Sequence, residues 1–310
     1  MFSPKNLKFI DLRAVVSYLI ALPAKYLPPP TLRNLWLTIT SLVAIQSLIV
    51  FTNTQITGNA ITALIVWGGA LICIEDLIED FYPRPTLTTL VLGCILVTYA
   101  LYRTSRVVSS DSILYILVPI AGLGLLLLGN SFKSIWKFRD ALLVLCLLPL
   151  FLIVQIIVSN YVSNDLSILT ARFVLLWLGL LGVSPATLEG NTVFTSGGAV
   201  QVMHECNGLE MIMQMVITSV VFLLAFPLRS RVARLSISLL SPLIGFIVNS
   251  MRIALLAVFT SFDSETGKSL FDFFHEQAGS LIFSGIAVFI LGYLYLAFLN
   301  RELPPLVGDQ

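Results

Sequence analysis

Between Asn34 and Ile74 the chain carries no charged side chain. A run of that length has few destinations. A membrane-spanning helix needs about 20 apolar residues, so this stretch holds two. The polar break from Thr52-Asn53-Thr54-Gln55 to Asn59 divides it into spans near 35–52 and 59–74. Composition extends the reading to the whole chain. Of 310 residues, 11% are charged and 57% are hydrophobic, against roughly 25% charged in a soluble domain. So few charges cannot cover a water-soluble globule of this size. A soluble enzyme, a nucleic-acid binder and a disordered scaffold are excluded, and the net charge of +1 offers no basic field for nucleic acid. The apolar segments are too long for the short alternating strands of an outer-membrane barrel. The expected fold is an all-α polytopic membrane protein with about eight transmembrane helices.

The remaining spans follow from charge positions. The third lies between Arg84 and Arg103, the fourth between Asp111 and Lys133, and the fifth between Asp140 and Asp165. The sixth runs from Glu210 to Arg229, the seventh over about 236–259, and the eighth from Glu276 to Arg301. Leu166 to Gly182 is apolar with Arg172 inside it; it either spans or lies on the surface as an amphipathic helix. The positive-inside rule arbitrates. With that segment on the surface and the N-terminus cytoplasmic, Lys5, Lys8, Arg13, the basic pair Lys133 and Lys137, and Arg229, Arg231 and Arg234 all fall inside. The expected organisation is a single membrane domain. It comprises a cytoplasmic segment 1–34, five spans over 35–158, an outer segment 159–207, three spans over 208–300 and a cytoplasmic tail 301–310. No cleavable leader is expected, since no small-x-small site follows the short apolar stretch Ala14 to Leu22. In the outer segment, turn signals at Glu189-Gly190-Asn191 and Ser196-Gly197-Gly198 separate β-prone pieces, so a small hairpin is expected after the surface helix and before helix six. A second outer segment, about 260–277, carries Asp263, Glu265, Asp272, His275 and Glu276.

Chemistry concentrates at that outer side. Cys73, Cys94 and Cys146 lie within apolar spans and read as small buried hydrophobes. Cys206 differs, because it opens the sixth span in Met203-His204-Glu205-Cys206-Asn207-Gly208-Leu209-Glu210. The chain has two histidines, His204 and His275, and both fall on the same side as Cys206. A cysteine nucleophile needs a base or a positive neighbour to form its thiolate, and either histidine is a candidate base. Arg252 sits inside the seventh span, where a guanidinium costs at least roughly 2.5–3.5 kcal/mol. Asn249, one turn earlier, shares its face. A guanidinium there is placed to stabilise a thiolate or an oxyanion. Glu210 lies four residues after Cys206, and Asp272 three before His275, where it would orient the imidazole. A zinc site built from His204, Cys206, His275 and a carboxylate is a chemical rival. However, His275-Glu276-Gln277-Ala278-Gly279 lacks the second histidine of a zincin helix, and there is no Cys-x-x-Cys pair. No metal or cofactor is expected.

In this order and on this topology, the residues resemble the exosortase/archaeosortase family. The carriers are Glu205-Cys206-Asn207-Gly208-Leu209, Asn249-Ser250-Met251-Arg252-Ile253 and Phe274-His275-Glu276-Gln277-Ala278-Gly279. The family pattern is a Cys-Ser-Gly nucleophile segment, an Asn-x-x-Arg-Ile helix and a His-x-x-x-Gly segment. The motifs cover about 180–285. Asn207 stands where the family usually has serine, and His204 belongs to no family motif. The length and the Cys-Asn-Gly variant look most similar to the cyanobacterial branch, the cyanoexosortases. The resemblance implies a cysteine transpeptidase of the plasma membrane with both termini cytoplasmic and its active site facing outward. Its substrates would be membrane-anchored exported proteins with a C-terminal sorting signal: a Pro-Glu-Pro-like motif, a transmembrane helix and a basic tail. Cys206 would be the nucleophile, His275 the general base and acid, and Arg252 the thiolate or oxyanion stabiliser. Asn207, Glu210, Asn249, Asp272 and His204 would support them. The lipid bilayer is a partner, an accessory membrane protein is compatible with the reading, and no nucleic acid is expected.

Two other classes fit the composition. A polytopic transporter would line a polar pathway with Arg252 and Asn249, although no inverted repeat is visible. A structural membrane partner would make no use of the polar outer mouth.

Overall fold

The computed structural model describes residues 32–53, 57–78, 85–107, 112–262 and 264–302. The N-terminal segment up to 31, the tail beyond 302, part of the 52–59 break and Asp263 lie outside the described residues. Nine helices and a small sheet are found there. They are α1 (Leu32–Asn53), α2 (Thr57–Ile78), α3 (Leu87–Thr104), α4 (Ile113–Gly129), α5 (Arg139–Leu180), β1 (Thr187–Glu189), β2 (Thr192–Thr195), β3 (Gly198–Gln201), α6 (Leu209–Ala225), α7 (Arg231–Thr260), α8 (Glu265–His275) and α9 (Gln277–Glu302). Short helical turns precede α5 (Phe132–Ile135, then Trp136–Phe138) and α6 (His204–Cys206).

Five helical stretches, in α3, α5, α6, α7 and α9, are long and apolar enough to cross a membrane. Shorter apolar stretches, Trp36–Val50, Ile61–Ile74 and Ile113–Gly129, lie in α1, α2 and α4. Leu92 and Ile95 of α3 and Ile286 and Phe289 of α9 point outward. A soluble protein rarely leaves such faces bare. The chain is a multi-pass helical membrane protein.

The segment expected as a separate surface helix is instead the continuation of α5. That helix runs 42 residues without interruption, about 63 Å at 1.5 Å per residue, twice the roughly 30 Å of a hydrocarbon core. Ser163, Asn164 and Asp165 are polar but helix-compatible, and no glycine or proline separates them from Trp177, so nothing stops the helix. The expected hairpin is present as β2 and β3, with Val193 opposite Val200. It is extended by β1, which pairs antiparallel with β2 through Leu188 and Val193. The second loop segment folds into α8, with Ser264 as its cap, accepting from the Gly267 N–H at 3.1 Å.

Four cores hold the described residues together, the smallest formed by Leu166 of α5, Leu209 of α6 and Phe246 of α7; the other three are larger. The largest joins α1 to α5 with Ile217 and Val221 of α6, around Leu114, Leu125, Leu148 and Phe151. A second joins α6, α7 and α9 around Met215, Ile237 and Leu291. The third forms a cap at one end of the bundle: Val174 and Leu178 of α5, Val193 and Val200 of the sheet, and Ile253 and Leu256 of α7. Cys206, Phe271 and Phe274 pack against that third core. The sheet and the end of α5 thus form a wall behind the cysteine.

Candidate active site

The chain enters α6 through a tight bend. Cys206 closes a helical turn by donating its backbone N–H to Met203 O at 3.0 Å. Gly208 then takes φ +92°, a left-handed conformation that a side chain makes strained. Space excludes one as well, because a Cβ there would lie 2.7 Å from Asn249 Nδ2. The bend leaves backbone groups outside any helix, and side chains from two helices take them up. Asn249 Nδ2 of α7 donates to Cys206 O at 3.1 Å. Thr170 Oγ1 of α5 donates to Asn207 O at 2.8 Å.

Asn207 is buried. Its Nδ2 donates to Ser163 Oγ at 2.8 Å and Ser163 O at 3.2 Å. Its Oδ1 accepts from the Leu209 N–H at 3.0 Å, within the first turn of α6. The side chain ties the Cys206 segment to α5 through its Nδ2 and to the start of α6 through its Oδ1.

Opposite the bend, α8 ends at His275. Its imidazole Nε2 lies 4.0 Å from Cys206 Sγ, a loose contact. The ring stacks on Phe271, one turn back, with centroids 5.3 Å apart and planes at 10°. Arg252 fixes this helix end. Its Nε donates to Phe274 O at 3.2 Å and its Nη2 to His275 O at 2.8 Å. A helix C-terminus offers unpaired carbonyls and a partial negative charge, so a cation there is favourable twice over. Only 8% of Arg252 is exposed, and its charge acts on both Cys206 and Glu210. Phe274 also stacks on Phe259 of α7 at 5.5 Å. Gly279 lets the first turn of α9 pass against the last turn of α8, since a Cβ there would collide with the Phe274 backbone.

The arrangement therefore brings together Cys206, His275, Arg252, Asn249 and Asn207 from separate parts of the sequence. Glu210 lines a small cavity of about 20 Å³ beside Arg252, Asn249, Gln214 and Ser284, room for about one water. His204 and Asp272 are elsewhere. His204 turns to α5, where Ser159 Oγ meets its Nε2 at 3.0 Å and Ser163 meets its Nδ1. Asp272 is exposed and, among the described residues, makes no side-chain hydrogen bond with the imidazole. Of the two histidines that sequence alone left as candidate bases, His275 is the one beside the thiol. Among the described residues, no group of three or more His, Cys, Asp or Glu side chains is placed to hold a metal ion.

Sequence reasoning missed Ser163, Thr170 and Trp177, which hold the site from α5. Trp177 Nε1 donates to Ser250 Oγ at 3.0 Å, inside the Asn249–Arg252 segment. The signal was present: these residues recur every seventh position on a helix whose neighbours are mostly apolar, which places them on one face.

A helical membrane bundle, capped at one end by a small sheet and a polar cluster around Cys206, sets the class of protein. Within that class, the chain matches the family model described as transmembrane exosortase (Exosortase_EpsH) over residues 56–292, from the start of α2 into α9. The chain belongs to that family. No curated protein and no solved structure matches it.

Proposed function

We propose that this protein is a membrane-embedded cysteine transpeptidase that cleaves the C-terminal sorting signal of exported proteins. The observation that carries this reading is the approach of His275 Nε2 to Cys206 Sγ at 4.0 Å, on a helix end anchored by Arg252. In the proposed reaction His275 takes the Cys206 proton, and the thiolate attacks the scissile carbonyl carbon. Arg252 keeps N–H groups beyond the two bonded to carbonyls; these stabilise the thiolate and then the oxyanion. The C–N bond breaks, the leaving amine receives its proton from His275, and a thioester remains on Cys206. An amine acceptor or water then attacks the thioester. His275 accepts the proton of that nucleophile and returns it to the sulfur.

In this reading, the three shorter apolar helices join the five longer ones to make eight spans of the plasma membrane. Both termini are cytoplasmic and the cap faces outward. The substrate carries a Pro-Glu-Pro-type motif, a transmembrane helix and a basic tail, and its helix lies in lipid beside the bundle. The Cys-Asn-Gly variant supports placing the chain in the cyanobacterial branch. Against a transporter that uses Arg252 and Asn249 along its pathway, both donate to backbone carbonyls that set the bend at Cys206 and the end of α8.

The test is a processing assay in membranes that co-express the chain with a tagged protein bearing such a signal. Wild type is expected to shift the size of the reporter. Cys206→Ala is expected to abolish the shift at unchanged membrane level. Full processing by Cys206→Ala would sink the mechanism.

A further inference from the structure

The proposed reaction makes no use of His204, yet the fold places it at the far end of a chain of hydrogen bonds that begins at the Cys206 bend. The direction of each bond follows from its neighbour. Asn207 Oδ1 accepts from the Leu209 N–H, and its Nδ2 donates to Ser163 O, a carbonyl that can only accept. The amide is therefore oriented from both ends. The same Nδ2 donates to Ser163 Oγ at 2.8 Å. That hydroxyl keeps its single proton for its other partner, His204 Nδ1. Nδ1 is then the acceptor, the ring proton sits on Nε2, and Nε2 donates to Ser159 Oγ at 3.0 Å. The chain runs one way, from the first turn of α6 through Asn207, Ser163 and His204 to Ser159.

His204 and Asn207 flank Cys206, two residues before it and one after. Both meet Ser163, so the two edges of the cysteine turn are held against α5. The chain closes only with a neutral imidazole. A proton on Nδ1 would point at the hydroxyl proton of Ser163. The hydroxyl must then turn, receive two donors and leave its own hydrogen without a place in the chain. His204 is exposed, so it exchanges protons with solution, and an unperturbed histidine changes charge between about pH 5 and 8. The elements packed against its turn, α5 and α6, carry Tyr161, Asp165, Arg172 and Glu210, and the turn itself carries Glu205. Arg252 and His275 approach the turn at Cys206. Among the described residues no carboxylate forms an ion pair with His204, and its two side-chain partners are neutral serines.

We propose that neutral His204 is a positioning residue for Cys206, acting through Ser163 and Asn207, and that its protonation in mild acid releases the cysteine turn from α5 and lowers the reactivity of the thiol. The effect on turnover rests on the transpeptidase reading; the effect on the thiol does not. Alkylation by iodoacetamide in membranes, followed at Cys206 by mass spectrometry of the labelled peptide, reads the thiol without turnover. At about pH 8, His204→Leu, which has no acceptor, is expected to slow alkylation at least roughly fivefold, as a displaced reacting group does. His204→Asn places Oδ1 where Nδ1 stood and takes up no proton. It is expected to restore at least about half of the wild-type rate.

The deciding quantity is the alkylation rate of wild type divided by that of His204→Asn. From about pH 8 to about pH 5.5 this ratio is expected to fall at least roughly fivefold. The division cancels the titration of Cys206 and His275, which both proteins share. It also uses only proteins with an acceptor at the δ position, so it stands even where His204→Leu fails to fold, as membrane level and melting temperature in detergent would reveal. A ratio that stays constant, or one that rises because the added charge stabilises the thiolate, overturns the proposal. Wild-type alkylation by a folded His204→Leu does the same. In the processing assay the ratio of rates is expected to fall in parallel. A wild type that processes no reporter while the alkylation ratio still falls would remove the transpeptidase reading and leave the switch. Processing with a flat ratio would remove the switch and leave that reading.

Discussion

In the N-terminal half of the bundle, buried hydroxyls turn back on their own helices, whereas in the cap amide, guanidinium, indole and threonine side chains reach across the chain. Thr40 Oγ1 donates to Trp36 O at 2.9 Å and Thr104 Oγ1 to Ala100 O at 2.8 Å, each one turn back. Trp36 Nε1 on Leu125 O at 2.6 Å and Gln46 Nε2 on Thr104 Oγ1 are long-range exceptions. In the cap, Asn249, Arg252, Thr170, Asn207 and Trp177 each bond a group far away in sequence. The difference comes from the backbone. A spanning helix satisfies its own N–H and C=O groups, so a bundle of them needs only matching shapes. The cap is where helices stop and start, and every break exposes carbonyls and amides that need new partners. Polarity therefore gathers where the chain bends, and the candidate site is built from those bends.

The largest effect is expected where one side chain serves both a bend and the proposed chemistry. Arg252→Ala removes two charge-assisted bonds, each of about 1.5–3 kcal/mol, and releases the end of α8. A displacement of about 1 Å at a reacting group costs on the order of 10²-fold in rate, so processing is expected to fall at least that far. Arg252→Lys keeps the charge but loses the planar fork that spans two carbonyls, so it should restore only a minor part. The measurement is the processing rate per molecule, with membrane level and melting temperature in detergent as the check on folding. A wild-type rate for Arg252→Ala would mean that the cap does not depend on its polar ties.

The two halves also differ in how far sequence alone reveals them. Uncharged runs mark the apolar helices, and the order of Cys206, Arg252 and His275 foretells which residues the fold gathers at one end. The continuation of α5 past Asp165 is hidden, because its polar residues permit a helix and only the packing of Val174 and Leu178 against α7 and the sheet gives that extension a purpose. The helix at Glu265–His275 is hidden for a related reason: its sequence is short and mixed in polarity, and it is held by Arg252 and by the stacking of Phe274 on Phe259. The roles of His204 and Asp272 cannot be read from spacing. Proximity in sequence puts both beside the site, and only the fold turns His204 toward Ser159 and Ser163.

An intermediate effect of opposite character is expected in the N-terminal half. Gly93 of α3 faces Gly124 of α4, and a Cβ at Gly93 would lie 2.8 Å from Gly124 O and 2.9 Å from Leu128 N. Those are backbone atoms, so the helices must separate to admit a side chain. Gly93→Leu is expected to cost about 1–3 kcal/mol through overpacking. Lower membrane levels and a lower melting temperature in detergent should result, while processing per surviving molecule stays unchanged. If activity per molecule fell as far as in Arg252→Ala, the two halves would be one mechanical unit and the comparison would break.

The smallest effect sharpens the contrast most, because it makes one chemical change in both halves. Thr40→Val deletes a hydroxyl that donates to Trp36 O, a carbonyl of its own helix. The carbonyl keeps its place in the helix, the side chain faces an apolar cavity shared with Trp67 and Leu125, and stability should change by no more than about 1 kcal/mol, the net worth of one hydrogen bond. Thr170→Val deletes a hydroxyl that donates to Asn207 O at 2.8 Å. That carbonyl lies before the first turn of α6, so the loss leaves a buried acceptor without this partner, at about 1–3 kcal/mol, and loosens the segment that carries Cys206. Melting temperature and Cys206 alkylation rate, measured on both variants, separate the cases. Equal small effects would mean that the bend at Asn207 holds without the Thr170 bond. A large effect at Thr170 alone would show that α5 is long because its far end forms part of the site.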